Sequence, residues 1–151
     1  MSEVDEVAER VYNIERSFAW WTEAPILPTV DHAFEYLRPI ISSRSWRSKY
    51  KVQLPLMVDF DQSTAYDGCY FSPGLYPDGY RCYGKIALAP TGRRISVLVH
   101  ELAHYVAFTA FGHDSAHGKK FTLTYIHLLG DFVNSGLAEL MARHFIEEGL
   151  L

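Results

Sequence analysis

The sequence predicts an α+β fold in a single domain spanning residues 1–151. Three observations carry that prediction. Apolar residues recur at spacings of three and four near both ends of the chain, alternate with a period of two in the middle, and return to a helical period after Pro90. Helices, then strands, then helices is an α+β order, here α-α-β-β-β-α-α-α. With 48% hydrophobic and 15% aromatic residues, 151 residues suffice to bury one sizeable core. No repeat or low-complexity linker marks a domain boundary.

Val7, Val11, Ile14 and Phe18 recur at three and four, which predicts an amphipathic helix over residues 4–18, ended by Pro25 and Pro28. Asp31 is placed to cap a second helix that turns Ala33, Phe34 and Leu37 inward, with Pro39 stopping or kinking it. In KVQLPLMVDF, Val52, Leu54, Leu56, Val58 and Phe60 alternate with polar or exposed positions. That is a strand with one buried face, and Pro55 argues for a place near a sheet edge. STAYDGCYFS and GYRCYGKIALA read as two more strands, joined by the turn-forming PGLYPDG into a hairpin. A small sheet of three or slightly more strands, mostly antiparallel, is therefore expected.

From about residue 93, Ile95, Leu98, Val99, Leu102, Val106 and Phe111 define a helix that is apolar nearly all round and hence buried, with Gly112 as a left-handed stop. Residues 115–132 read as a further helix. Asn134 or Ser135 can cap a last one carrying Leu137, Leu140, Met141 and Phe145 inward.

The buried helix holds the chemistry. His100, Glu101 and His104 form HExxH. Positions i and i+4 of a helix are displaced by about 40° around the axis and about 6 Å along it. Two imidazoles so placed can converge on one ion with Zn–N bonds of about 2.0–2.1 Å. Glu101, one position on, is set to reach a water beside that ion rather than the ion itself, the arrangement of a metal-activated water with a general base. A core histidine held by a hydrogen bond is the plainer explanation of a lone His. Three ionisable groups in one apolar helix are costly to bury unless paired or bound to a cation, which favours the metal.

A catalytic zinc takes three protein ligands and leaves a place for water. His113 and His117 both follow the Gly112 break. His117 is favoured: it is read as lying one turn into the next helix, with Gly118 permitting close approach and Phe121 packing that helix back against the first. Asp114 competes as a ligand but suits a cap better. Glu139 reads as a surface residue of the last helix.

His100-Glu-Leu-Ala-His104, twelve residues, and His117-Gly118-Lys-Lys-Phe121 together resemble the zincin metallopeptidases whose third ligand lies in a His-Gly-x-x-Phe/Trp segment. SprT-like proteins and the small actinobacterial and phage metallohydrolases share this layout. The strand GKIAL before the motif helix and VYNIE near the start are also similar to theirs. The resemblance implies a zincin-like fold, zinc on His100, His104 and His117, and Glu101 as base. Many SprT-like proteins carry a four-cysteine zinc ribbon. These 151 residues hold two cysteines and no such ribbon, so their DNA-linked roles are not carried over.

The expected function is zinc-dependent hydrolysis, of a peptide or protein substrate first. A non-catalytic metal-binding domain of the same fold and a hydrolase of non-peptide amides are the alternatives. The strand over residues 85–88, if it forms the sheet's edge, could pair with an extended peptide.

Other signals are weaker. RSWRSKYK interleaves basic and aromatic residues, as a phosphate-backbone grip would, but reads first as a solvated loop with Trp46 covering the core edge. A net charge of −4 also disfavours nucleic acid as a partner. Trp20 and Trp21 cannot both face inward from one helix. Tyr66, Tyr70, Tyr76, Tyr80 and Tyr83 surround the hairpin, where one could line a cleft. His127 and His144 read as structural or exposed, and His32 is uninformative. No signal peptide or membrane-length apolar run is visible, and Cys69 and Cys82 form no CxxC. A cytoplasmic location with reduced thiols is expected.

Overall fold

Seven helices and five short strands, in a computed structural model that describes residues 3–49, 56–61, 67–71, 74–75, 81–82, 84–111 and 117–151, arrange themselves around one buried helix. The N-terminal helix α1 (Glu3–Arg16) is followed by a separate short helix α2 (Ala19–Glu23). This split lets Trp21 turn into the core while Trp20 stays half-buried against it.

Helix α3 (Val30–Ile41) begins one residue earlier than predicted, because Thr29, not Asp31, is its cap: the Thr29 side chain accepts from the His32 N–H. Pro39 does not stop it. The proline sits in the last turn, so only one helical hydrogen bond is forgone before the helix ends. Ala33 and Leu37 are buried, but Phe34 is 37% exposed, contrary to expectation. RSWRSK is a helix rather than a loop, α4 (Arg44–Lys49), started by Ser43, whose hydroxyl accepts from the Trp46 N–H. Trp46 is buried, as its predicted place at the core edge requires.

The strands are β1 (Leu56–Phe60), β2 (Gly68–Phe71), β3 (Gly74–Leu75), β4 (Arg81–Cys82) and β5 (Gly84–Leu88). β3 and β4 pair with each other as a small antiparallel extension. β2 and β5 pair antiparallel from Gly68↔Leu88 to Phe71↔Lys85, the hairpin relation read from the sequence. β1, by contrast, runs parallel to β5, from Leu56↔Gly84 to Phe60↔Leu88, so the three-stranded sheet is mixed. The three-stranded order is β1-β5-β2, so β5 is the central strand and not an edge. Its burial says the same, since Ile86, Ala87 and Leu88 are fully covered. In β1, Val58 is buried between exposed Met57 and Asp59, the alternation predicted for a half-buried strand. Residues 51–55, Pro55 included, lie outside the described residues.

After a 3-10 turn at Pro90–Gly92 comes α5 (Ile95–Phe111). Residues 96–103, 105 and 106 are all buried, as an all-round apolar helix demands. The sheet covers one side of α5 through β2 and β5, while α2 and α6 (Lys119–Phe132) cover others. The segment between α2 and α3 fastens the start of α5. The Leu27 N–H donates to Arg93 O, the Ile95 N–H to Pro25 O, and the buried Ser96 hydroxyl to Trp21 O. Helix α7 (Ser135–Glu147) packs on α6 and α1 and is capped by Asn134, which accepts from the Leu137 N–H at 2.8 Å. Met141 and Phe145 are buried, but Leu140 is 51% exposed instead of inward. Among the described residues, no helix is long and apolar enough to cross a membrane.

Candidate metal centre

α5 presents His100 and His104 on successive turns, and the chain entering α6 brings His117 to them. His117 is not inside the helix, as the sequence suggested. It stands just before Gly118, the α6 N-cap, whose extended backbone turns the chain into the helix. His113, Asp114 and Gly112 lie outside the described residues.

The three Nε2 atoms form a near-equilateral triangle: His100–His104 3.2 Å, His104–His117 3.1 Å and His100–His117 3.4 Å. Ligand atoms at the corners of a tetrahedron, about 2.0–2.1 Å from its centre, lie about 3.3–3.4 Å apart. The triangle is thus close to one face of a tetrahedral zinc site. Hydrogen bonds alone do not account for it, because three ring nitrogens facing one another cannot each find a donor–acceptor match. His100 Nδ1 lies 2.8 Å and 3.0 Å from the two carboxylate oxygens of Glu15. A carboxylate only accepts, so the Nδ1 proton belongs to that bond and a neutral His100 turns its Nε2 lone pair into the triangle. The residues fit a metal ion.

Aromatic rings fix the imidazoles in place. Phe121, 1% exposed, stacks on His104 at 4.2 Å and lies 5.0 Å from both His100 and His117. It thereby holds α6 against α5, as its spacing from His117 suggested. Tyr12 of α1 stacks on His100 at 5.7 Å and meets His117 edge-on at 5.2 Å. Trp21 approaches His100 edge-on.

Electrostatics follow from burial. Burial pulls the pKa of His100 down, but the charge of Glu15 and its hydrogen bond outweigh this and leave it raised. His117 has no carboxylate partner among the described residues, and burial, reinforced by His100, lowers it to about 3. Neutral imidazole, the ligand form, is therefore its state at ordinary pH. Glu101 is 5% exposed, and burial pushes its carboxyl up to about 7, against the pull of His100. A carboxylate tuned towards neutrality is suited to general-base work.

A cleft of about 190 Å³ opens beside the triangle. His100 and Glu101 of α5 line it, with Asp67 and Gly68 at the start of β2, and Tyr12 and Arg16 of α1. Gly68 is where β2 crosses α5. A Cβ there would lie 2.7 Å from Val97 Cγ1 and 3.0 Å from Glu101 Cγ, so the strand can pass this close only as glycine.

Tyr12 and Glu15 enter the sequence reading only as members of VYNIE, with no role, and Arg16 not at all. Glu15 left a trace: it lies four residues after Val11 and next to Ile14, on the apolar stripe of α1, where a carboxylate is out of place. Among the described residues, the tyrosine that lines the cleft is Tyr12. Tyr66, Tyr76, Tyr80 and Tyr83 lie outside the described residues. His144 is exposed, with Phe18 edge-on to it, and His127 is partly buried with its pKa lowered by burial, both away from the triangle.

A helix-borne HExxH and a third histidine from the segment entering the next helix thus form a three-histidine group that could hold a metal ion. The family model that matches this chain is that of the SprT-like family, over residues 86–129, from within β5 through α5 to most of α6. The match spans all three histidines and Glu101. No curated protein and no solved structure matches the chain.

Proposed function

We propose that this protein is a zinc-dependent peptidase of zincin-like fold, with zinc on His100, His104 and His117 and Glu101 as general base. The observation that carries the reading is the Nε2 triangle, with edges of 3.1–3.4 Å, next to a buried carboxylate at the wall of an open cleft. When bound there, zinc supplies Lewis acidity towards a water and the scissile carbonyl. Glu101 accepts the proton of the attacking water on its carboxylate and returns it to the departing amine nitrogen. Phe121 and Tyr12 keep the imidazoles oriented through these steps.

The substrate surface differs from the one expected. Central β5 has both neighbours in place and cannot take an added strand. β2 is the edge that passes Glu101, and its outer side has no strand partner among the described residues. An extended peptide pairing with β2 through its backbone would lie along the cleft, which favours a polypeptide over a small amide.

The test is Glu101→Gln. Zinc content and folding are expected to stay near those of the wild type, while cleavage of responsive unfolded proteins or peptides falls at least about a hundredfold. Undiminished cleavage by the variant would refute Glu101 as the base. Absence of cleavage by a zinc-loaded wild type across a broad peptide library would favour a non-catalytic metal-binding domain.

A further inference from the structure

We propose that Glu15, at the end of α1, is the positioning residue of the metal centre: it holds His100 in its ligating tautomer and supplies the buried negative charge that retains the cation. The inference rests on the three-histidine metal reading.

Three observations lead there. Glu15 is 0% exposed, and both its oxygens face His100 Nδ1, at 2.8 Å and 3.0 Å. The proton on Nδ1 is thereby fixed, and Nε2, across the ring, is left as the donor atom. Second, the carboxylate is itself held, because the buried Tyr125 hydroxyl of α6 donates to Oε2 at 3.4 Å. Glu15 thus ties α1 and α6 to the motif helix through one ring nitrogen. Third, among the described residues no Lys or Arg pairs with this carboxylate, and its one ion-pair partner is His100. The positive charge that offsets it therefore has to be carried on that ring, and a divalent ion on the far nitrogen supplies it while leaving the Nδ1 hydrogen bond in place. The sequence of requirements therefore runs from a carboxylate on the apolar stripe of α1 to metal affinity at α5.

The experiment measures zinc affinity by competition with a chromophoric chelator, on the full chain stripped of metal beforehand. Glu15→Gln keeps the shape and removes the charge. It is expected to bind zinc about 10–100-fold more weakly than wild type, while the metal-free variant keeps the far-UV circular dichroism of the wild type. Tyr125→Phe, which leaves the Glu15–His100 bond in place, should weaken binding less. Zinc affinity unchanged in Glu15→Gln would overturn the proposal while leaving the three-histidine site standing. A wild type that binds no zinc would overturn both. Should Glu15→Gln fail to fold, ¹⁵N spectra of histidine-labelled, zinc-loaded wild type decide. A proton on His100 Nδ1, with zinc on Nε2, supports the role, and the opposite assignment refutes it.

Discussion

Replacing Gly68 with alanine puts one methyl group between β2 and the motif helix. The added carbon would lie 2.7 Å from Val97 Cγ1, 3.0 Å from Glu101 Cγ and 3.1 Å from Glu101 Oε1. Carbon–carbon contacts settle at about 3.5–4.0 Å. The strand and helix must therefore part by roughly 1 Å at Val97, a stiff β-branched side chain that is 3% exposed. Overpacking of this kind costs about 1–3 kcal/mol. For a chain of this length each kcal/mol lowers the melting temperature by about 2–4 °C, so a fall of about 2–12 °C is expected. Scanning calorimetry on the zinc-loaded protein reads it. Because the new methyl also presses on Glu101, hydrolysis measured well below the melting range should fall further than the lost stability explains. A melt within a degree of wild type and unaltered hydrolysis would refute the close seating of β2 on α5 and the path proposed for the substrate.

Ligand choice is tested by His117→Ala against His113→Ala: the first should release zinc far more readily, and equal retention by both would remove His117 from the site. Zinc binding only the folded state stabilises it by about 4 kcal/mol at a thousandfold excess over its dissociation constant, so chelation should lower the melting temperature by several degrees. An unchanged melt after verified metal removal would show that α5 and α6 pack without the ion. Asn134→Ala removes the α7 cap and should cost about 0.5–2 kcal/mol, seen in denaturant unfolding, with zinc affinity unchanged because α7 carries none of the three histidines.

The motif helix was legible because two independent patterns agree on it: the apolar period gives a buried helix, and the i, i+4 histidines need one. Asn134 as a cap and the alternation around Val58 were legible for the same local reason. What was missed is set by tertiary placement. The parallel pairing of β1 with β5 depends on a strand nearly thirty residues later inserting beside β1, and alternation within a strand carries no partner or direction. Phe34 and Leu140 fall on apolar stripes, but no element among the described residues covers them fully, and they are 37% and 51% exposed. Glu15 became meaningful only when α1 docked on α5, though its place on the α1 stripe was the available signal. His117 was assigned to a helix because the period of α6 does not reveal that Gly118 begins it.

Zinc stoichiometry combined with X-ray absorption at the zinc edge tests the central claim most directly. The three-histidine centre predicts close to one zinc per chain, with three imidazole nitrogens at about 2.0–2.1 Å and one oxygen donor completing four-coordination. His104→Ala should abolish that signal. No bound metal after growth with zinc, or an absorption spectrum requiring sulfur ligands or fewer than three imidazoles, would contradict it.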